Sequence, residues 1–164
     1  MKHTVIYETL IHCNTKELFE FHADTNNLPL ITPPDTNVDI LEMQTPLKKG
    51  NRAKLKIRKW PLSFQWELVF EEVRYPELIV DVAIRSPFKT FRHEHRFVTV
   101  NGTHTILRDT VTFSLPFEPL STLFVFWIKR DIEKMFAYRH AQTAKHIVCP
   151  VDYRAPVMSF DQLT

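Results

Sequence analysis

One segment of this chain has the apolar periodicity of a long helix, whereas nearly all of the sequence before it alternates as β-strands do. The segment covers residues 120–148, and its apolar side chains recur at steps of three and four, which places them along one stripe. The stripe consists of Leu120, Leu123, Phe124, Trp127, Ile128, Ile132, Met135 and Phe136. Ser121 or Thr122 is the expected cap of its first turn. A helix of this pattern would be roughly 40 Å long and needs a large apolar surface to pack against.

The rest of the chain predicts that surface to be a sheet. Between residues 38 and 115 we predict six strands joined by short turns, over 38–43, 52–60, 63–74, 78–84, 88–100 and 103–115. A strand over 3–12 precedes them, followed by a short helix over 16–24 and at most one helical turn near Pro29. Local connections followed by one long helix predict an α+β fold, in which a curved antiparallel sheet of six to seven strands wraps around the C-terminal helix.

Composition narrows the class of protein. A chain of 164 residues predicts one domain, over 1–150, with a tail over 151–164. The 21 basic and 19 acidic residues leave a net charge of +2, which is too balanced for a nucleic-acid-binding surface. Only two glycines occur, so glycine-rich cofactor loops are excluded and no cofactor is predicted.

Location is predicted from the cysteines and from hydropathy. Cys13 and Cys149 stand alone, without metal-type spacing, and we expect free thiols in a reducing compartment. The N-terminal residues have no signal-peptide core, and no run of about 18 apolar residues occurs. We therefore expect a cytoplasmic protein without stable membrane insertion.

A polar pattern lies within the predicted strand over 88–100. Alternation in the sequence FRHEHRF places Phe91, His93, His95 and Phe97 on one face of that strand. Asn101 and Gly102 then predict a hairpin to the next strand, which carries Asp109.

The length of the hairpin loop decides where Asp109 lies. A two-residue Asn-Gly loop would pair Val100 with Thr103 and place Asp109 beside Arg92, Glu94 and Arg96. A three-residue loop, with Gly102 in a bulge, would bring Asp109 to His93 or His95. We favour the second arrangement, because it gathers the aromatic residues of both strands on one face, as a buried face requires.

Several stretches of the chain resemble a known superfamily. They are FHADTNNLPLITPP at 21–34, the turn at Gly50, FRHEHRF at 91–97, GTHTILRDTVTFSLP at 102–116 and MFAYRH at 135–140. Together with the element order they resemble a bacterial single-domain branch of the START-like superfamily, also called SRPBCC or Bet v 1-like. That superfamily has the helix-grip fold and includes lipid-transfer domains, birch-pollen-allergen-like proteins and polyketide aromatase/cyclases.

The resemblance implies an elongated apolar cavity between the sheet and the long helix. Such a cavity would bind a small hydrophobic molecule, for example a lipid or a sterol-like or polyketide-like compound. The residues expected to line it are Phe64, Trp66, Phe70, Phe91, Phe97, Phe124, Trp127, Ile128 and Phe136. The alternative is that these side chains simply fill the core.

Four polar residues are the expected anchors for such a ligand. His93, His95 and Asp109 would form an inward cluster, and Arg139 lies on the helical row that could reach it. The same cluster could instead be structural, because buried polar groups have to be paired.

Two further functions stay open at this stage, and a metal site is considered beside them. An enzyme of the aromatase/cyclase type would use His95 and Asp109 for proton transfer. An accessory interaction domain would have no ligand at all. A metal ion could bind the His-x-His pair with Asp109, His22 or His140 as a third ligand, but no cysteine pair or second histidine motif supports this, and we predict no metal site.

Overall fold

The computed structural model describes residues 1–117 and 120–147. These residues form seven strands, two α-helices and two 3-10 helices. In chain order they are β1 (His3–Ile11), α1 (Thr15–Ala23), a 3-10 helix (Thr25–Ile31), β2 (Asn37–Met43), β3 (Arg52–Lys59), β4 (Leu62–Arg74), β5 (Leu78–Arg85), β6 (Thr90–Asn101), β7 (His104–Ser114), a second 3-10 helix (Leu120–Phe124) and α2 (Val125–His146). Every predicted strand is confirmed, with its ends displaced by no more than two residues.

The strands form one antiparallel sheet in the order β1-β7-β6-β5-β4-β3-β2. Strands β2 to β7 pair with their neighbours in sequence, and β1 joins the edge beside β7. The register between β4 and β5 shifts twice, near Leu68 and near Glu72. Such irregularities bend a strand and increase its twist, which helps the sheet to curve around the long helix. The predicted α+β helix-grip fold is confirmed.

Short local signals position the first helices. Asn14 caps α1, because its side-chain oxygen accepts a hydrogen bond from the backbone N–H of Glu17 at 3.0 Å. Helix α1 buries Leu18 and Phe19 against the sheet. Pro29 lies inside the 3-10 helix that follows and prevents a longer α-helix there.

The C-terminal helix is shorter than predicted. Residues Leu120–Phe124 form a 3-10 helix, and α2 starts only at Val125. Its N-cap is Phe124, which has no side-chain capping bond, so the predicted cap at Ser121 or Thr122 is wrong. At about 1.5 Å per residue, the 22 residues of α2 span about 33 Å.

Only the later part of the predicted apolar stripe packs against the sheet. The buried residues of α2 are Ile132, Phe136, His140 and Thr143. Phe124 and Trp127 are 61% and 66% exposed, so the prediction that they face the sheet is wrong. The 3-10 helix has three residues per turn instead of 3.6, so the stripe does not continue at the same angle through residues 120–124. The helix packs mainly against β1 and the first 3-10 helix.

The core lies on the concave face of the sheet. Trp66 packs edge-on against Phe91 with ring centroids 4.8 Å apart, and Phe88 contacts both Phe91 and Phe113. Phe136 of α2 is fully buried over this face. These aromatic side chains therefore fill much of the space between the sheet and α2 with one another.

The expectation of two free thiols is wrong for Cys13, which is buried at the end of β1 and is disulfide-bonded. Sequence separation does not reveal which cysteines meet in space, and no local spacing pattern signalled this bond. The inference of a reducing compartment loses its basis with it. Cys149 and the predicted tail over 151–164 lie outside the described residues.

None of the helices in the described part of the chain is long and apolar enough to cross a membrane.

Candidate functional site

The β6–β7 hairpin places its polar residues on the concave face. His95 pairs with Asp109, and His93 pairs with Val111, which is the parity we favoured. The loop itself differs from the expected one. Gly102 and Thr103 form a two-residue turn, and the extra residue is Val100 in β6. A bulge in the strand has the same effect on parity as a longer loop, because either one adds a single residue.

Asp109 is the centre of a buried polar cluster. Its Oδ1 accepts a hydrogen bond from His93 Nε2 at 2.9 Å, and its Oδ2 accepts one from His140 Nε2 at 2.6 Å. The Nδ1 of His140 lies 2.9 Å from the hydroxyl of Thr9. A carboxylate can only accept, so the Nε2 of each of the two histidines carries a proton. The cluster therefore joins β1, β6, β7 and α2 on the side of the sheet that ends in β1.

Asp81 and His95 complete the cluster on its other side. His95 Nδ1 lies 2.7 Å from Asp109 Oδ1, although it is not aligned for a hydrogen bond. The rings of His93 and His95 are 3.8 Å apart, and one nitrogen of each lies 3.6 Å from Asp81 Oδ2. Asp81 is 7% exposed. Two carboxylates and two imidazoles are thus held together in the interior.

This arrangement moves the pKa values of the two histidines apart. Burial would lower the pKa of His95, but the negative charges of Asp109 and Asp81 outweigh it and raise that pKa to about 9. Burial also lowers the pKa of His93, and the positive charge of His95 lowers it further. Burial would raise the pKa of Asp109, but the charge of His95 and the hydrogen bonds from His140 and His93 hold it well below its usual range. At neutral pH the cluster contains a cationic His95 beside a neutral His93.

Two basic residues border the cluster. The ring of His22, on α1, lies 6.0 Å from that of His95, and burial together with the charge of His95 lowers its pKa to about 3. Arg139, on α2, is partly buried, and burial lowers its pKa although Asp109 and Asp81 attract it. Within the described residues, the Arg139 guanidinium makes no hydrogen bond or ion pair. Arg139 is therefore a partly buried cation whose N–H groups are available to a ligand.

The structure brings most of the predicted lining residues to one face. Phe91, Phe97, Trp66, Phe70 and Phe136 are buried on the concave side, whereas Phe64 and Ile128 are partly buried. Phe124 and Trp127 are exposed and lie apart from them. The polar residues His93, His95 and Asp109 meet in one cluster, as expected, and Arg139 lies close to it.

Two surface depressions of the described residues lie away from this cluster. One of about 460 Å³ is lined by Ser63, Phe64, Gln65, Arg85, Ser86 and Pro87. A second, of about 250 Å³, lies beside the proline-rich segment that precedes β2. None of His93, His95, Asp109 and Arg139 lines either depression.

Sequence reasoning missed Asp81 entirely and did not foresee the role of His140. Asp81 is the only charged residue in the apolar run LIVDVAI, and a lone carboxylate in a buried strand is a signal of a polar partner nearby. His140 lies four residues after Phe136 and eight after Ile132, on the buried row of α2. The sequence therefore predicts that His140 lies on the buried face of the helix, but it does not predict which strand His140 contacts.

A family comparison identifies the chain. Residues 13–137 match the model of the family described as polyketide cyclase/dehydrase and lipid transport. The protein belongs to this family. The match covers α1, the whole sheet except β1, and α2 as far as residue 137, so the cluster residues Asp81, His93, His95 and Asp109 lie inside it. No curated protein matches the sequence.

Solved structures of the same fold extend the comparison. Norcoclaurine synthase from Thalictrum flavum, in complex with dopamine and hydroxybenzaldehyde, is 10% identical, with a TM-score of 0.67 over 89% of this chain and 88% of that one. The protein TTHA0849 from Thermus thermophilus is 11% identical, with a TM-score of 0.69 over 88% of this chain and 97% of that one. The two-domain aromatase/cyclase BexL of the BE-7585A biosynthetic pathway is 12% identical, with a TM-score of 0.74 over 92% of this chain and 51% of BexL. At these identities the likeness shows the fold alone.

Proposed function

We propose that this family member binds a small hydrophobic molecule between the sheet and α2, and that the polar end of that molecule is anchored at Arg139 and the cluster around Asp109. Membership of the polyketide cyclase/dehydrase and lipid transport family supports a small apolar ligand. The observation that carries the anchor is the Arg139 guanidinium, which is partly buried and has no hydrogen-bonding partner in the described part of the chain.

The chemistry of the anchor favours an anionic or carbonyl end on the ligand. Arg139 supplies several N–H donors, and it is attracted by Asp109, the carboxylate beside the cationic His95. A partly buried cation without a protein partner favours an anionic ligand, and a carboxylate or an enolate oxygen would pair with it through charge-assisted hydrogen bonds. The apolar body of the ligand would then lie along Trp66, Phe91 and Phe136.

Room for that body comes from the first half of α2. Helix α2 packs against β1 and the first 3-10 helix, and its N-terminal side chains, such as Phe124 and Trp127, are exposed. Lys59 of β3 reaches Asp131 of α2 at 2.7 Å, but the two side chains are 38% and 61% exposed, and a solvent-exposed pair contributes little. Separation of this half from the sheet is therefore inexpensive, and an apolar ligand would bury side chains that are now in water.

Binding of an apolar anion tests this proposal. Anilinonaphthalene sulfonate serves as the probe, and its fluorescence is titrated against wild type, Arg139→Gln and the matched control Arg130→Gln, which removes an exposed arginine of the same helix. Loss of a charge-assisted bond of about 1.5–3 kcal/mol predicts an affinity about 10- to 100-fold lower for Arg139→Gln. Equal affinities for the three proteins would reject the anchor. Native mass spectrometry of the purified wild type and of Arg139→Gln then identifies the molecule that co-purifies.

A second candidate function is acid/base catalysis of the aromatase/cyclase type. The observation that favours it is the separation of the His93 and His95 pKa values within one cluster, because a cationic acid and a neutral base side by side can move a proton in both directions. Aromatase/cyclases also occur among the proteins of the same fold. A β-diketone, which enolises by loss of an acidic C–H proton, is the simplest substrate for such a pair.

Deuterium exchange into a β-diketone, followed by NMR, separates an enzyme from a binding protein. An enzyme accelerates exchange, and His95→Gln abolishes the acceleration while the affinity for the apolar anion probe falls far less. His146→Gln, which removes an exposed histidine, is the control. No acceleration by the wild type would rule out this catalysis and leave the binding function.

A further inference from the structure

The groups around Asp81 have an arrangement that the proposed ligand anchor does not explain. Asp81 is 7% exposed. Its closest polar neighbours are His93 Nδ1 and His95 Nε2, each 3.6 Å from Oδ2. These distances are too long for hydrogen bonds, whose N···O separation is about 2.7–3.2 Å. The buried carboxylate of Asp81 thus faces two imidazole nitrogens across distances longer than a hydrogen bond.

The orientation of the His93 ring adds to this arrangement. Its Nε2 donates a hydrogen bond to Asp109 Oδ1, so the Nδ1 on the other side of the ring is turned towards Asp81.

We propose that His93 Nδ1, His95 Nε2 and Asp81 Oδ2 form a binding site for a divalent transition-metal ion such as Zn²⁺. One ligand atom from each of the three residues lies within 4.8 Å of the others. Zinc bonds to nitrogen and oxygen are about 2.0–2.1 Å long, which in a tetrahedral site separates neighbouring ligand atoms by roughly 3.4 Å. The observed 3.6 Å from each nitrogen to Asp81 is close to this value, and the two nitrogens lie within 4.8 Å of each other.

The second layer of residues suits a metal site as well. In such sites the nitrogen of a histidine that faces away from the metal usually contacts a carboxylate, which orients the ring. Asp109 takes this position for both rings: it accepts from His93 Nε2 and lies 2.7 Å from His95 Nδ1. His140 in turn holds the other oxygen of Asp109 at 2.6 Å. Each histidine of the pair thus turns one nitrogen towards Asp109 and the other towards Asp81.

Two imidazoles and one carboxylate leave part of the coordination sphere open, as in catalytic rather than structural sites. Water or an oxygen of a bound molecule would complete it. This inference does not rest on the proposed binding of a hydrophobic ligand, because it uses Asp81 and the nitrogens of His93 and His95 that face it, and makes no use of Arg139.

Titration of the metal-free protein with Zn²⁺ in a calorimeter tests the site. We expect one ion per chain. Asp81→Asn removes a direct ligand and should lower the Zn²⁺ affinity by more than about 100-fold. Loss of a residue that only orients a ligand usually lowers the affinity by about 10- to 100-fold. Asp109→Asn should fall in that smaller range. Asp35→Asn and His146→Gln, which change exposed residues, should bind as the wild type does.

A second measurement covers the case in which Asp81→Asn does not fold. In wild-type protein loaded with Co²⁺, the NMR signals of the His93 and His95 rings should be shifted by the paramagnetic ion, whereas those of His104 and His146 should not. The proposal is overturned if the wild type binds no Zn²⁺, if folded Asp81→Asn binds it as tightly as the wild type, or if Co²⁺ leaves the two rings unshifted. None of these outcomes depends on whether an apolar ligand binds at Arg139.

Discussion

At the scale of single residues, His95 determines how the metal-free protein responds to alkaline pH. Its pKa is raised from 6.5 to about 9 in the folded state, so the folded protein keeps a proton that the unfolded chain has lost between these values. The resulting stabilisation is fully present below about pH 6.5 and is lost as the pH rises through about 9. A shift of this size corresponds to about 3 kcal/mol.

We therefore predict that the free energy of unfolding, measured with urea in the presence of a chelator, falls by about 3 kcal/mol between pH 6.5 and pH 9. His95→Gln should remove most of this slope, and His146→Gln should keep it. A wild type whose stability is level over this range would show that His95 is neutral in the folded state.

On the acid side, His22 has the opposite effect. Its pKa is lowered to about 3 in the folded protein. Between pH 6.5 and 3 the unfolded chain binds a proton at His22 and the folded protein does not, so the free energy of unfolding falls as the pH drops through this range. Asp109, whose pKa is also lowered, adds to this loss at the acid end, below the ordinary pKa of an aspartate. The metal-free protein should accordingly be most stable near pH 6.5.

The residue scale also shows what the sequence could reveal about the site. His93 and His95 were found because strand alternation puts them on one face, and Asp109 because the aromatic residues of β7 had to be buried with those of β6. Asp81 and His140 were not assigned to the cluster, since their contacts depend on how β5 and α2 are placed against β6 and β7. Local sequence patterns predict which face of a strand or helix a residue occupies, but its contacts with distant elements depend on how those elements pack together.

At the scale of elements, α2 divides into two parts with different environments. Its second part buries Ile132, Phe136, His140 and Thr143, whereas Trp127, in its first turn, is 66% exposed. Periodicity predicted one continuous stripe, because it records spacing along the helix and not the surface that each turn meets. The strands were easier to predict, since each is bounded by a turn and most are paired with a neighbour in sequence.

This division predicts unequal effects of two aromatic substitutions. Trp127→Gln should change the free energy of unfolding by less than about 0.5 kcal/mol, as is usual for exposed sites. Phe136→Ala, at a fully buried position, should cost about 3–5 kcal/mol. Urea denaturation of both variants measures the difference. A cost above about 2 kcal/mol for Trp127→Gln would mean that the start of α2 packs as the sequence pattern predicted.

At the scale of the whole molecule, the buried cluster connects elements that are far apart in sequence. His140 links α2 to β1 through Thr9 and to β7 through Asp109, at 2.9 and 2.6 Å. These bonds lie where α2 packs against β1, the strand at one edge of the sheet. The hydrophobic contacts of Ile132 and Phe136 act on the same side of the helix.

Removal of His140 should therefore loosen α2 more than it loosens the sheet. In His140→Ala, the buried carboxylate of Asp109 loses a partner, which costs about 1–3 kcal/mol, and the partly buried hydroxyl of Thr9 loses one at a smaller cost. Hydrogen exchange followed by mass spectrometry should show faster exchange in α2 and in β1, while β4 and β5, which do not contact His140, keep their protection. His146→Gln, at the last residue of the same helix, should leave the exchange of α2 unchanged. If His140→Ala instead accelerates exchange uniformly in all strands, α2 and the sheet open together, and the cluster stabilises the whole fold as one cooperative unit.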